Sequence, residues 1–215
     1  MSFKVKKFTF NPFQENTYVL YGQDKNAVII DPGCSTSSEK QVLSQFIAQE
    51  DLDVVALLNT HCHIDHVFGN EYVISKYEVD FYMHRLDLPV LASAERVAMT
   101  YGIDGYIVSP LPTKFIEDGD VLKFGEITLT VIFGPGHSPG HVAFYDKDSH
   151  RIISGDILFK GSFGRVDLPG GDLETLKHTI HNKFFTLPEN TIVYSGHGEE
   201  TTIGEEKTSN YILQY

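Results

Sequence analysis

Short apolar runs broken by turn residues fill the first part of the chain. Residues 4–10, 17–21 and 27–30 are rich in β-branched and aromatic side chains and are separated by Asn11-Pro12 and Gly22-Gln23-Asp24, a pattern that predicts three strands. From residue 35 to 49 the period changes. Val42, Leu43, Phe46 and Ile47 fall on one helical face behind a serine-rich start, which predicts a helix. A strand over 53–58, a helix over 70–76 and a short strand over 79–83 follow. Residues 85–99 read as mostly helical, with Pro89 starting or interrupting the run, and 101–114 as a connector. A second β-rich block covers 121–124, 127–133, 141–145 and 151–154. A helix over 172–185, a strand over 191–194 and a last helix from Glu205 complete the pattern.

The halves thus repeat a theme of meandering strands, a polar loop and a helix. No composition shift marks a linker, so residues 1–215 read as a single domain. Two groups of strands with helices outside predict an α+β fold, an αββα sandwich of two mixed sheets.

Charge and cysteine count narrow the function classes. A formal net charge of −12 argues against nucleic acid as a partner and leaves no polybasic membrane patch. No apolar run approaches the roughly 18 residues of a spanning helix. The start, Met1-Ser2-Phe3-Lys4-Val5-Lys6-Lys7, lacks the apolar core of a leader. Cys34 and Cys62 make no disulfide framework, so a cytoplasmic protein with reduced thiols is expected.

The chemistry concentrates in Thr60-His61-Cys62-His63-Ile64-Asp65-His66, directly after the apolar run 53–58. Three imidazoles and a carboxylate on one loop suit zinc, iron or manganese, and uncompensated they would be costly to gather. Spacing of two points His61 and His63 the same way in extended chain, while Asp65 and His66 turn a corner and can face a second ion. Cys62 then points away, into packing. Three more polar residues follow apolar runs beside glycine: His137 in Gly136-His137-Ser138, Asp156 in Ser154-Gly155-Asp156, and His197 in Gly196-His197-Gly198. Together they make seven candidate ligands, enough for two ions. His141 is a candidate for supporting hydrogen bonding, whereas nothing groups His84, His150, His178 and His181, which are expected to be exposed.

These motifs, in this order and over nearly the whole chain, resemble the metallo-β-lactamase superfamily. The resemblance implies one metal held by His61, His63 and His137, a second by Asp65, His66 and His197, and Asp156 between them. Asp65 and Asp156 are then the carboxylates with catalytic weight, and Asp31 supports the loop. Within the superfamily the segments Asn11-Pro12-Phe13, Glu15-Asn16-Thr17-Tyr18, residues 161–172 and Thr201-Thr202-Ile203-Gly204 resemble a short form of glyoxalase II-like hydrolases. Only 18 residues follow His197, too few for the long form's glutathione-holding helices, and Arg165 and Asp167 stand where that form has Lys and Tyr. The metal chemistry carries over; the glutathione specificity does not.

The resemblance implies two divalent ions, zinc first and iron or manganese as alternatives, with a hydroxide between them attacking a carbonyl. A thioester such as S-lactoyl-glutathione or a related acyl thiol suits such a site, because a thiolate leaves without obligatory protonation. Arg165 is a candidate grip for a substrate carboxylate, or else a structural arginine. A mononuclear iron persulfide dioxygenase using His61, His137 and Asp156, or a lactonase or other acyl hydrolase, are the alternatives.

Overall fold

The computed structural model describes residues 3–215; Met1 and Ser2, part of the stretch read above for a leader, lie outside the described residues. The first sheet runs in the order β1 (Lys4–Phe10), β2 (Glu15–Tyr21), β3 (Asn26–Ile30), β4 (Asp53–Leu58), β5 (Asp80–Met83), β6 (Lys114–Phe115). Its first three strands are antiparallel and β3 to β6 are parallel. The second sheet runs β14 (Thr201–Thr202), β13 (Ile192–Ser195), β10 (Arg151–Gly155), β9 (Val142–Asp146), β8 (Ile127–Phe133), β7 (Val121–Phe124). Here β10 and β13 are parallel and the other pairs antiparallel. A small hairpin joins β11 (Leu158–Phe159) to β12 (Ser162–Phe163). The helices are α1 (Ser37–Gln49), α2 (Ile64–Val67), α3 (Asn70–Tyr77), α4 (Leu88–Thr100), α5 (Leu173–Thr179) and α6 (Ile203–Ser209).

Alternation along each strand builds three apolar layers. Leu20, Val28, Ile30 and Leu58 point inward and meet Leu129, Val131, Phe144 and Ile153 of the second sheet. Their neighbours Val19, Ala27, Ile29 and Leu57 point outward and pack on Leu43 and Ile47 of α1, Val73 of α3 and Leu91 of α4. On the far side Ala143, Ile152 and Val193 pack on Leu176, Ile180 and Ile203. Strands covered on both faces explain the unbroken run Ala27-Val28-Ile29-Ile30, wholly buried. Truncating a residue between the sheets, such as Leu58 to alanine, is expected to cost about 2–5 kcal/mol. The αββα sandwich of two mixed sheets is thus present.

Some local expectations need correction. The helix read over 172–185 is α5 followed by one widened π-type turn, Ile180–Phe184, with Asp172 as the N-cap accepting from the Thr175 N–H. Asp65 and His66 sit on the short helix α2 rather than on plain loop. His141 precedes β9 and stays in the loop. The connector after α4 ends in β6, a parallel edge strand. Pro89 lies in the first turn of α4, where its missing N–H costs nothing. His84, His150 and His181 are half-buried rather than exposed: His84 and His181 lean on the rings of Phe133 and Phe185, and His150 Nδ1 lies 3.5 Å from the Tyr145 hydroxyl. His178 is exposed. Among the described residues, no helix is long and apolar enough to cross a membrane. Cys34 and Cys62 are free and buried, and Cys62 Sγ rests 3.7 Å from Met83 Sδ.

Strand direction places the chemistry. Strands β3, β4 and β5 run in one direction, so the segments holding Asp31, His61 to His66, and Asp87 leave the same edge. Strands β8, β10 and β13 likewise share a direction and release His137, Asp156 and His197 together. The edges are stitched where the Val142 N–H donates to the Thr60 carbonyl at 2.8 Å and the Asn16 N–H to the Gly196 carbonyl at 2.7 Å.

Candidate metal centre

The seven ligand candidates converge into two groups. In the first, His61, His63 and His137 turn ring nitrogens toward one another. His137 Nε2 lies 2.8 Å from His63 Nδ1 and 3.2 Å from His61 Nε2. In the second, Asp65 Oδ2 lies 3.2 Å from His197 Nε2 and 3.7 Å from His66 Nε2. Asp156 spans both: its carboxylate is 3.5 Å from Nε2 of His66, of His137 and of His197.

The far side of each ring decides which nitrogen is free. His137 Nδ1 is 2.7 Å from the Arg165 carbonyl and His197 Nδ1 is 3.1 Å from the Phe13 carbonyl. A carbonyl can only accept, so both Nδ1 atoms carry a proton and both Nε2 atoms are left facing inward as the positions an ion can take. Asp31 does the same for two more rings. Its Oδ2 lies 3.1 Å from His66 Nδ1 and accepts from the Thr60 hydroxyl at 2.5 Å. That spends the Thr60 proton, so the hydroxyl oxygen accepts from His61 Nδ1 at 3.1 Å. Fixing ring and tautomer from behind is how metal-binding histidines are held.

This arrangement fits divalent ions. The lone pairs of His61 Nε2 and His137 Nε2 face each other across 3.2 Å, which only a shared positive centre makes favourable. His66 Nε2 and Asp156 Oδ1 are buried and have no hydrogen-bond partner among the described residues. Burial also pulls His61 well below the ordinary imidazole range, His63 down to about 3, and His137 below its ordinary value, so these rings are neutral and ready to coordinate. The second group calls for positive charge. Burial opposes a proton on His66, yet the Asp156 and Asp65 carboxylates raise it well above its ordinary value, and the same two carboxylates bring His197 to about 10. Burial would raise Asp156, but His66 and His197 hold it well below the carboxylate range.

Glycine makes room for this approach. A Cβ at Gly196 would stand 2.1 Å from Asp156 Oδ1, and Gly155, with φ +50°, would bring one to 2.4 Å from Thr60 Oγ1.

Three supporting residues carry little sequence signal. Asp87 is wholly buried and accepts from the Cys62 N–H at 2.7 Å, the Ser138 hydroxyl at 2.7 Å and the Gly140 N–H at 2.6 Å, joining the two histidine loops. In the sequence it reads as an ordinary acid ahead of a proline-started helix. Thr60 reads only as the residue that opens the histidine-rich loop after the strand over 53–58. Glu15 is buried 3.9 Å from His66 Nδ1, and burial pushes its carboxyl well up. In the sequence it lies just ahead of the strand read over 17–21, and nothing local marks it as a neighbour of His66. His141 supports the site from below: its ring stacks on His61 at 4.5 Å and its Nε2 accepts the Asp156 N–H at 3.0 Å. Among the described residues, His84, His150, His178 and His181 join none of these groups.

Above the ligands opens a cleft of about 990 Å³ between α4 and the segment 159–170. Its walls are largely apolar, with Phe13, Val90, Val97 and Tyr101 facing Phe163 and Leu168. Arg165 reaches the cleft, but its side chain is held in a two-bond fork by Asp167, both contacts at 2.7 Å.

The sequence profile of the metallo-beta-lactamase superfamily matches residues 10–197, and the chain belongs to that superfamily. It is 36% identical over 203 residues to hydroxyacylglutathione hydrolase GloC of Haemophilus influenzae, covering 94% of this chain and 93% of that one. The crystal structure of BLEG-1 B3 metallo-beta-lactamase superposes with a TM-score of 0.86 at 38% identity, covering 99% of this chain and 100% of that one. TTHA1623 in a di-iron-bound form superposes equally well, TM-score 0.86 at 38% identity, covering 97% and 100%. The chain is a metal-dependent hydrolase of this superfamily.

Proposed function

We propose that the chain is a binuclear thioester hydrolase acting on S-lactoyl-glutathione or a related small acyl thiol. The observation that carries this reading is the Asp156 carboxylate, 3.5 Å from ring nitrogens of both ligand groups. His61, His63 and His137 would hold one divalent ion and Asp65, His66 and His197 the other, with Asp156 shared. Zinc is the first candidate, and iron or manganese suit the same donors; the di-iron form of TTHA1623 supports iron. Bound ions would acidify a water and polarise the substrate carbonyl.

The rest of the work falls to the chain. Asp31, Thr60 and the carbonyls of Phe13 and Arg165 hold the rings in one tautomer, which keeps the donors preorganised. The largely apolar walls of the cleft would limit water around a bound acyl group. No acid within the site is needed for the leaving group, since a thiolate with a pKa of roughly 8.5 departs unprotonated. Similarity to GloC supports a thioester, and similarity to BLEG-1 keeps other acyl groups, lactones and β-lactams included, as the second reading. Two buried free thiols suit a reducing cytoplasm.

Elemental analysis of gently purified protein, followed by a panel of thioesters, lactones and β-lactams, tests the proposal. Two ions per chain and highest kcat/KM on thioesters are expected. Saturation at one iron, with dioxygen uptake on a persulfide, would replace it with the dioxygenase reading.

A further inference from the structure

We propose that Arg96 of α4 recognises an anionic group on the substrate, so that the cleft selects acyl thiols joining an apolar stretch to an anion. This deepens the thioester reading above and rests on it.

The cleft face of α4 is apolar with a polar interruption. Pro89, Val90, Ala94 and Val97 line the cavity at helical spacing, and Arg96 lines it beside them. Arg96 is exposed, and no carboxylate lies within ion-pair distance of its guanidinium among the described residues. Its helical neighbours at three and four positions are Ala92, Ser93, Met99 and Thr100, none of them acidic.

The contrast with Arg165 is direct. Both arginines line the cleft, but the Arg165 fork is filled by Asp167. The carboxylates lining the cavity, Asp65 and Asp156, lie against the histidines at its floor. In a chain of net charge −12, Arg96 is therefore, among the described residues, a cleft arginine whose guanidinium is not paired with a carboxylate. A planar fork with free donors suits a carboxylate or a phosphate. The cavity, at about 990 Å³, far exceeds a lactoyl group and has room for an apolar segment between the floor and Arg96.

Three thioesters of one acyl group separate the possibilities: N-acetylcysteamine as the neutral thiol, glutathione as the carboxylate-bearing one and coenzyme A as the phosphate-bearing one. The metal-loaded wild type is expected to favour an anionic thioester over the neutral one by about tenfold or more in kcat/KM, through KM. Which of the two anions is favoured identifies the source. Arg96→Ala should remove the preference with kcat unchanged, Arg96→Lys should keep part of it, and Arg165→Ala should move the ratio less than Arg96→Ala. An equal loss on all three substrates, or none, overturns the inference while the thioester reading stands. If the wild type turns over no thioester, that reading fails, and calorimetric binding of free glutathione and coenzyme A decides the inference. Equal affinity in wild type and Arg96→Ala overturns it, and weakening of about tenfold in the variant supports it.

Discussion

The Asp87 carboxylate accepts a hydrogen bond from the Cys62 N–H at 2.7 Å, within the stretch that carries His61 and His63. Its other oxygen takes the Ser138 hydroxyl and the Gly140 N–H, on the loop that carries His137. One buried side chain therefore sets the distance between two loops of the site. Asp87→Ala would leave three buried donors unpaired. At about 1–3 kcal/mol for each unsatisfied group, partly relieved by water, the expected loss of stability is about 2–4 kcal/mol. Metal affinity should fall about 10–100-fold, as for removal of other residues that orient ligands. Chemical denaturation and competition with a chelator measure the two effects, and unchanged metal affinity would show that the loops hold their places without it.

Asp156 touches both ligand groups, and its loss should disturb both. Asp156→Ala is expected to lower metal content below two ions per chain and to abolish hydrolysis, whereas Asp167→Ala, which removes a side chain paired with Arg165 and not with a ligand candidate among the described residues, should keep full metal content. An Asp156→Ala protein with full metal and a near-normal rate would remove this carboxylate from the site.

Glu39 links a helix cap to the loop of ligands. Its carboxylate accepts from the Asn11 N–H at 2.7 Å and from the Ser35 and Thr36 N–H groups at 2.9 and 2.8 Å, while the Asn11 amide donates to the Asp65 carbonyl at 3.0 Å. Burial alone would raise its pKa, but these donors favour the charged form and hold it below the ordinary value. The sign follows: the stabilisation is fully present above about pH 4.3 and disappears as pH falls through the lowered folded value. Glu39→Gln should cost about 1 kcal/mol at pH 7, the usual scale of a cap. Its stability should also vary less than the wild type's between about pH 4.5 and pH 3. Parallel pH dependences in that window would sink the argument.

What was legible in the sequence has a common cause. The strands, the ligands at strand ends and the serine-rich start of α1 are all written in neighbouring residues, as period, spacing or turn chemistry, although the cap itself falls on Thr36. The missed features depend on residues distant in the chain. Asp87 and Ser138 are 51 positions apart, and nothing local to Asp87 says which donors it will meet. The two-residue strands β6, β11, β12 and β14 exist through pairing rather than propensity. Arg165 was legible as a candidate grip for a substrate carboxylate or a structural arginine, but its pairing with Asp167 and its carbonyl's hold on His137 were not.

The chain's last turn reaches the cleft through Asn210. Its amide donates to the Phe159 carbonyl at 3.2 Å, the Ser162 carbonyl at 2.8 Å and Glu206 Oε2 at 2.6 Å, and that same oxygen accepts the Gly161 N–H at 2.9 Å. Asn210 is 2% exposed, so water cannot easily replace these bonds. The hairpin of β11 and β12 that it grips carries Phe159 and Phe163, both in the cleft wall. Asn210→Ala should therefore loosen the wall while leaving every ligand candidate in place. We expect stability to fall by about 1–3 kcal/mol. KM should rise several-fold on apolar acyl thioesters, while metal content is retained and kcat falls less than KM rises. Metal loss in step with the rise in KM would instead mean that the hairpin supports the ligands directly, through Asp156 and Gly164, and not the substrate.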